Sequence, residues 1–164
     1  MSFTINGTTG INLATQPLTG ALPDANAPSG SVIQVVQGTY GTATTTSATS
    51  FTSTGLTASI TPSSSTSKIL IIASLAVDTS SNGEQAYFAV YRNSSTNLSG
   101  TVNGFGNAYA TSSRVIGMLA TSYLDSPATT SSTTYTVYVR SNGSNIIAFQ
   151  GNSPAYITLM EIAA

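Results

Sequence analysis

The sequence contains no histidine, no cysteine and no tryptophan, and only four basic and five acidic side chains stand among its 164 residues. Each absence removes a class of function. Without His or Cys the chain lacks the commonest general base, the thiolate nucleophile and the soft ligands of zinc and transition-metal sites. Disulfides are excluded too, which leaves the compartment open because extracellular proteins do not all carry bridges. A folded soluble domain usually keeps about a quarter of its residues charged, so this surface must consist of hydroxyls, amides and backbone, or be covered by other protein. With a net charge of -1 and a pI near 4.9, four scattered cations make no phosphate track, and nucleic acid is not an expected partner. The longest apolar run, Ile69 to Val77, is about half of the ~20 residues a membrane-spanning helix needs. The start, Met1 to Asn6, has neither the cationic opening nor the apolar run of a secretory signal, and no membrane partner is expected.

What the chain does have is hydroxyls: Ser and Thr fill 53 positions. With 40% apolar residues and a mean hydropathy of +0.17 it is too hydrophobic for the highly charged, weakly hydrophobic class of disordered chains. Its length suits a single domain.

Two regions are expected. Residues 1–31 are punctuated by Pro17, Pro23, Pro28 and several glycines, which break any periodic pattern. Phe3, Ile5, Ile11, Leu13, Leu18 and Leu22 recur along this stretch and are costly to leave in water, so it reads as an extended attachment arm lying on a partner. Residues 32–164 read as β throughout, because Val, Ile, Thr, Tyr and Phe fill the runs and Gly, Asn, Ser and Pro separate them. The predicted strands are Val32 to Tyr40, Thr49 to Thr54, Leu56 to Thr61, Lys68 to Val77, Gln85 to Asn93, Arg114 to Leu124, Thr133 to Ser141, and Ile146 to Gln150 with Tyr156 to Ala163. No window shows a helical apolar stripe. Turn residues such as Ser81-Asn82-Gly83, Asn103-Gly104 and Ser141-Asn142-Gly143 suit antiparallel hairpins. The expected fold is all-β, an antiparallel β-sandwich with jelly-roll topology leading.

Alternation separates the strands by environment. In Thr133 to Ser141 one face carries Tyr135, Val137 and Val139 and the other Thr136, Tyr138 and Arg140, so one side is wet. In Lys68 to Val77 both faces are apolar, since Ile69, Ile71 and Leu75 oppose Leu70 and Ile72. The segment around Tyr87 to Arg92 behaves likewise. A sandwich strand meets the core with one face only, so a second apolar face implies an oligomer interface or the arm packing outside, and Leu70, Ile72, Tyr87 and Tyr91 are the candidates for an oligomer interface. The excess of Tyr over Phe, with amphipathic rings suited to interfaces, directs attention to the Gly- and Asn-rich stretch Val102 to Ala110. Asn103, Asn107 and Tyr109 there are candidates for receptor contact. The charges Lys68, Arg92, Arg114 and Arg140 fall near strand ends, where they are expected to restrain edge pairing.

Motifs for chemistry are weak. Ser65-Thr66-Ser67-Lys68 matches S-x-x-K, but that base needs helical spacing and this Lys opens a strand. Asp24, Asp78, Glu84, Asp125 and Glu161 are too widely spaced for a metal loop, although Asp78 and Glu84 flank one turn. The chain is expected to be no enzyme and to bind no cofactor or metal.

Two stretches carry a resemblance. The opening Phe3-Thr4-Ile5-Asn6-Gly7-Thr8-Thr9-Gly10-Ile11, and Val32-Ile33-Gln34-Val35-Val36-Gln37-Gly38 followed by Thr54-Gly55-Leu56-Thr57-Ala58-Ser59-Ile60-Thr61-Pro62, are similar to segments of tailed-bacteriophage fibre and appendage proteins. The resemblance implies a virion location, a homotrimer and an arm that docks on other virion proteins. It implies either a short tail-fibre subunit facing a host glycan or a capsid decoration protein bridging neighbouring capsid subunits. No repetitive shaft is present, which fits a short appendage or a capsid decoration protein.

Overall fold

A computed structural model describes residues 27–79, 83–143, 146–148 and 153–164. The arm residues Phe3, Ile5, Ile11, Leu13, Leu18 and Leu22 lie outside the described residues.

All regular structure described is β: β1 (Val32–Tyr40), β2 (Thr44–Thr46), β3 (Thr52–Ile60), β4 (Lys68–Thr79), β5 (Gln85–Arg92), β6 (Thr96–Asn97), β7 (Gly106–Tyr109), β8 (Val115–Asp125), β9 (Thr133–Ser141), β10 (Ile146–Ala148) and β11 (Ala155–Ile162). Every pairing is antiparallel. One sheet, called A here, runs β1-β11-β4 with β8 on the far side of β4, and β10 and β2 extend β11 and β1 end to end. The other, sheet B, runs β3-β9-β5 with β7 and the short β6 along β5. With the four-residue β7 counted beside the seven long strands in chain order, sheet A holds the first, eighth, third and sixth, and sheet B the second, seventh, fourth and fifth. That order is a jelly roll, and it closes through two Greek-key crossings.

The core lies between the sheets. Ile69, Ile71 and Leu75 of β4, Ile157 and Leu159 of β11, Leu56 and Ile60 of β3, Phe88 of β5 and Tyr135 of β9 are fully buried, and they occupy alternate positions as the period of a strand requires. The predicted inward face of β9, Tyr135, Val137 and Val139, is the buried one. At 25 cal/mol per Å² of apolar area, each large side chain in this layer contributes about 2 kcal/mol on burial.

Three expectations need correction. The predicted strands Thr49 to Thr54 and Leu56 to Thr61 are one strand, β3, bulged between Ser53 and Thr57. Gly55 takes φ +85° in that bulge, and the Thr54 hydroxyl donates to Val137 O (2.8 Å) while accepting from Leu56 N–H (3.2 Å). The extra residues are thus absorbed without ending the strand. The stretch Val102 to Ala110, read as loop, contains β7, whose backbone pairs with β5. Lys68, Arg92 and Arg140 do not guard edges, because β4, β5 and β9 are interior strands, whereas Arg114 adjoins the edge strand β8.

The chain enters the sandwich where it also finishes. Gly30 N–H donates to Ala163 O (2.8 Å) and Ala163 N–H to Ser31 O (2.9 Å), so residues 30 and 31 join the sandwich at the corner of sheet A formed by β1 and β11.

Candidate functional site

The four interface candidates divide between two different surfaces. Leu70 and Ile72 point outward from β4 on sheet A, where the register aligns Val35, Met160, Leu70 and Leu124 in one row across β1, β11, β4 and β8. Ile72, Met118, Ile116 and Tyr156 lie on the same side, and Met118 remains 65% exposed. Among the described residues, charge touches this face only at its ends, through Lys68 at one and the Asp78–Arg114 pair at the other. The neighbouring rows are mixed, with Gln37, Thr158 and Ser122 beside Ile72 and Thr39 and Ser74 beside Tyr156. The face thus carries one aliphatic row with scattered apolar neighbours, and exposed apolar surface is what proteins cover by association.

Tyr87 and Tyr91 point outward from β5 on sheet B, and the receptor candidates gather beside them. Arg140 of β9 and Asn107 of β7 sit directly opposite Tyr87 on either side, and Tyr109 opposite Gln85. The Arg140 guanidinium stacks on the Tyr87 ring with 3.7 Å to its centroid and lies 5.6 Å from that of Phe51. Tyr91 stacks on Tyr138 at 4.2 Å and meets Phe51 edge-on at 6.0 Å. Tyr87 in turn donates its hydroxyl to Gln85 Oε1. Burial and the neighbouring Tyr138 push the Tyr91 hydroxyl pKa above 10.0, with a hydrogen bond from Asn97 opposing, so Tyr91 stays neutral at physiological pH.

The loop after β6 is pinned onto this cluster. Arg140 Nε donates to Val102 O (2.7 Å), Nη2 to Asn103 Oδ1 (3.3 Å) and Nη1 to Ser141 O (3.2 Å). Asn97 donates to Thr101 O (3.1 Å) and accepts from Ser99 N–H (3.0 Å). Gly104, at φ +67°, lies so close to β5 that a Cβ would fall 2.0 Å from Phe88 O. The result is an open groove of about 660 Å³ with Phe51, Tyr91, Asn97, Thr101, Val102 and Arg140 among its walls. Asn103 joins the groove through Arg140, while Asn107 and Tyr109 extend the same face. Arg140, read from the sequence as a strand-end charge, was not picked out there as a site residue, and neither were Phe51 and Asn97. The alternation of Tyr138 and Arg140 on the outward side of β9 was a signal for the first, and nothing local marked Phe51.

The acidic groups are engaged elsewhere. Arg114 grips both oxygens of Asp78, with Nη2 2.6 Å from Oδ2. Asp125 is held by Arg92 and by Tyr135. Glu161, fully buried, accepts from Gln34 Nε2 (2.6 Å) and from Ser63 N–H and Oγ–H (both 2.7 Å). Burial acts to raise its pKa, but the hydrogen bonds from Gln34, Ser63 and Ser67 together hold it below 4.5. Among the described residues no three of Asp, Glu, His and Cys lie together. Ser67 is buried and Lys68 opens β4 on the exposed side, so S-x-x-K lacks its helical spacing.

No protein-family model matches the sequence, and no curated protein matches it. Among solved structures, a chain in the structure of infectious bursal disease virus Gt strain is similar at a TM-score of 0.43 and 13% sequence identity, covering 90% of this chain and 42% of that one. The chain therefore spans less than half the length of that neighbour.

Proposed function

We propose that the chain is a non-enzymatic structural subunit of a virion, a short homotrimeric appendage of the tail-fibre type, attached through residues 1–31 and presenting sheet B outward to a host surface glycan. The observation that carries this reading is the aliphatic row on the outer face of sheet A, where Val35, Met160, Leu70 and Leu124 align without a polar interruption in a chain with nine charges. Such a row favours burial against protein, and residues 30 and 31 join the corner of the same sheet, next to Ala163. The jelly-roll order agrees with the reading, since that architecture recurs in virus shells and in lectins, although architecture alone assigns no role. The motif resemblance at Phe3 to Ile11 and Val32 to Pro62 supplies the phage setting.

The test is the oligomeric state of the full chain by analytical ultracentrifugation, alongside M118K and L124K. Both positions are exposed, so folding should change by no more than about 0.5 kcal/mol. A trimer in the parent and monomers in the variants is the expected result; a monomeric parent overturns it. Labelling on intact particles then separates an appendage from a capsid decoration protein, because head labelling would favour the latter.

A further inference from the structure

We infer that the groove on sheet B binds an acidic saccharide, with the carboxylate of one sugar unit held by Arg140 and the sugar ring lying among Phe51, Tyr91 and Asn97. This deepens the reading of sheet B as the glycan-facing side and rests on it.

Arg140 differs from the other arginines. Arg92 and Arg114 each hold a carboxylate, Asp125 and Asp78, and these are the ion pairs among the described residues. Arg140 donates only to neutral oxygens, those of Val102, Ser141 and Asn103. A guanidinium has five N–H donors. Nε is used, and Nη1 and Nη2 each spend one N–H, which leaves one on each terminal nitrogen. The stacking on Tyr87 at 3.7 Å fixes the plane of the fork, so little rotamer freedom remains to be lost when an anion arrives. Among the described residues no carboxylate lines the groove.

The walls specify the rest of the ligand. Phe51 and Tyr91 offer apolar surface suited to the C–H face of a sugar, while Thr101 brings a hydroxyl and Asn97, its amide bonded to Thr101 and Ser99, shapes the wall. A duplex or single-stranded nucleic acid would need a track of cations, and Arg140 is alone here. The open shape suits a unit within a longer chain, which would continue over Asn107 and Tyr109 on the same face.

The experiment titrates the full chain with glucuronic acid, with N-acetylneuraminic acid and with neutral glucose, read by protein NMR shifts. A single sugar is expected to bind with a Kd on the order of 1 mM, and at least one acid should bind about tenfold tighter than glucose. Val102 is 76% exposed, and V102E places an anion beside Arg140 without removing a packed group. V102E should abolish the preference for acid while its spectrum stays folded and its oligomeric state unchanged. Equal or absent binding of all sugars, or an unaltered preference in V102E, overturns the inference. So does equal binding of N-acetylglutamate amide, which would assign the groove to acidic peptide. Because assembly is measured separately on sheet A, a monomeric parent would refute the assembly reading without touching these titrations.

Discussion

Arg92 and Asp125 meet across the sandwich, with Arg92 Nη1 2.8 Å from both carboxylate oxygens. Arg92 ends β5 in sheet B and Asp125 ends β8 in sheet A, so the pair joins the sheets at one end, and Tyr135 of β9 adds a third bond by donating to Asp125 Oδ2 (2.7 Å). Burial, followed by that bond to Asp125, drives the Tyr135 phenol pKa far above its usual value. D125A strands a guanidinium and a buried phenol, and should lower stability by about 3 kcal/mol. Y135F removes one bond to a charged acceptor and should cost about 2 kcal/mol. Urea unfolding of both variants checks the order.

Glu161 makes stability depend on acid. Its folded pKa lies below 4.5, so its contribution is fully present above that value and is lost as pH falls through the folded value. The unfolding midpoint should therefore drop as pH decreases below 4.5. E161Q should be less stable than the parent at pH 7 and should approach it in acid. Parallel curves for the two proteins would refute this role.

Gly38 crosses β3 so closely that a Cβ would stand 1.9 Å from Thr57 O, a backbone atom. G38A cannot be accommodated by rotating a side chain; β1 and β3 must separate. A loss of about 3 kcal/mol is expected, against a minor change for G83A, where a Cβ meets nothing within 4 Å and only the positive φ of Gly83 is strained. Thermal melts of the two variants make the comparison.

Thr54 holds the bulge in β3 through a hydroxyl that donates to Val137 O and accepts from Leu56 N–H. T54V keeps the shape and leaves a buried N–H without its acceptor, at a cost of about 1–2 kcal/mol. T54S should lie much closer to the parent. Hydrogen exchange at Leu56 should rise in T54V alone.

The long strands were legible because their signal is local. Alternation of Tyr135, Val137 and Val139 with polar neighbours needs only the strand period, and the apolar second face of β4 did correspond to an exposed surface at Ile72. What escaped detection depends on partners distant in sequence. β7, Gly106–Tyr109, is rich in residues that also make loops, and it is a strand because β5 offers it an edge. β2 is three threonines paired with β10. Gly55 looked like a terminator, and only the Thr54 bond to Val137 shows how the strand continues past it. The groove was half legible: Asn103, Asn107, Tyr87 and Tyr91 were picked out for separate reasons, the register of β5 with β7 and β9 places Asn107, Tyr87 and Tyr91 on one face, and Arg140 ties Asn103 to it. Arg140 read as an edge guard because its strand's position inside sheet B is invisible to local pattern.

Val32 pairs with Ile162, and the bonds between Gly30, Ser31 and Ala163 close the same corner. A tensile load applied between residues 30 and 163 would pull neighbouring antiparallel strands apart from one end, breaking the β1–β11 ladder one bond at a time, a geometry with little mechanical resistance. A load borne by the arm and by the sheet B groove instead runs through the whole thickness of the jelly roll, and the Arg92–Asp125 tie lies between the two layers that such a force would shear.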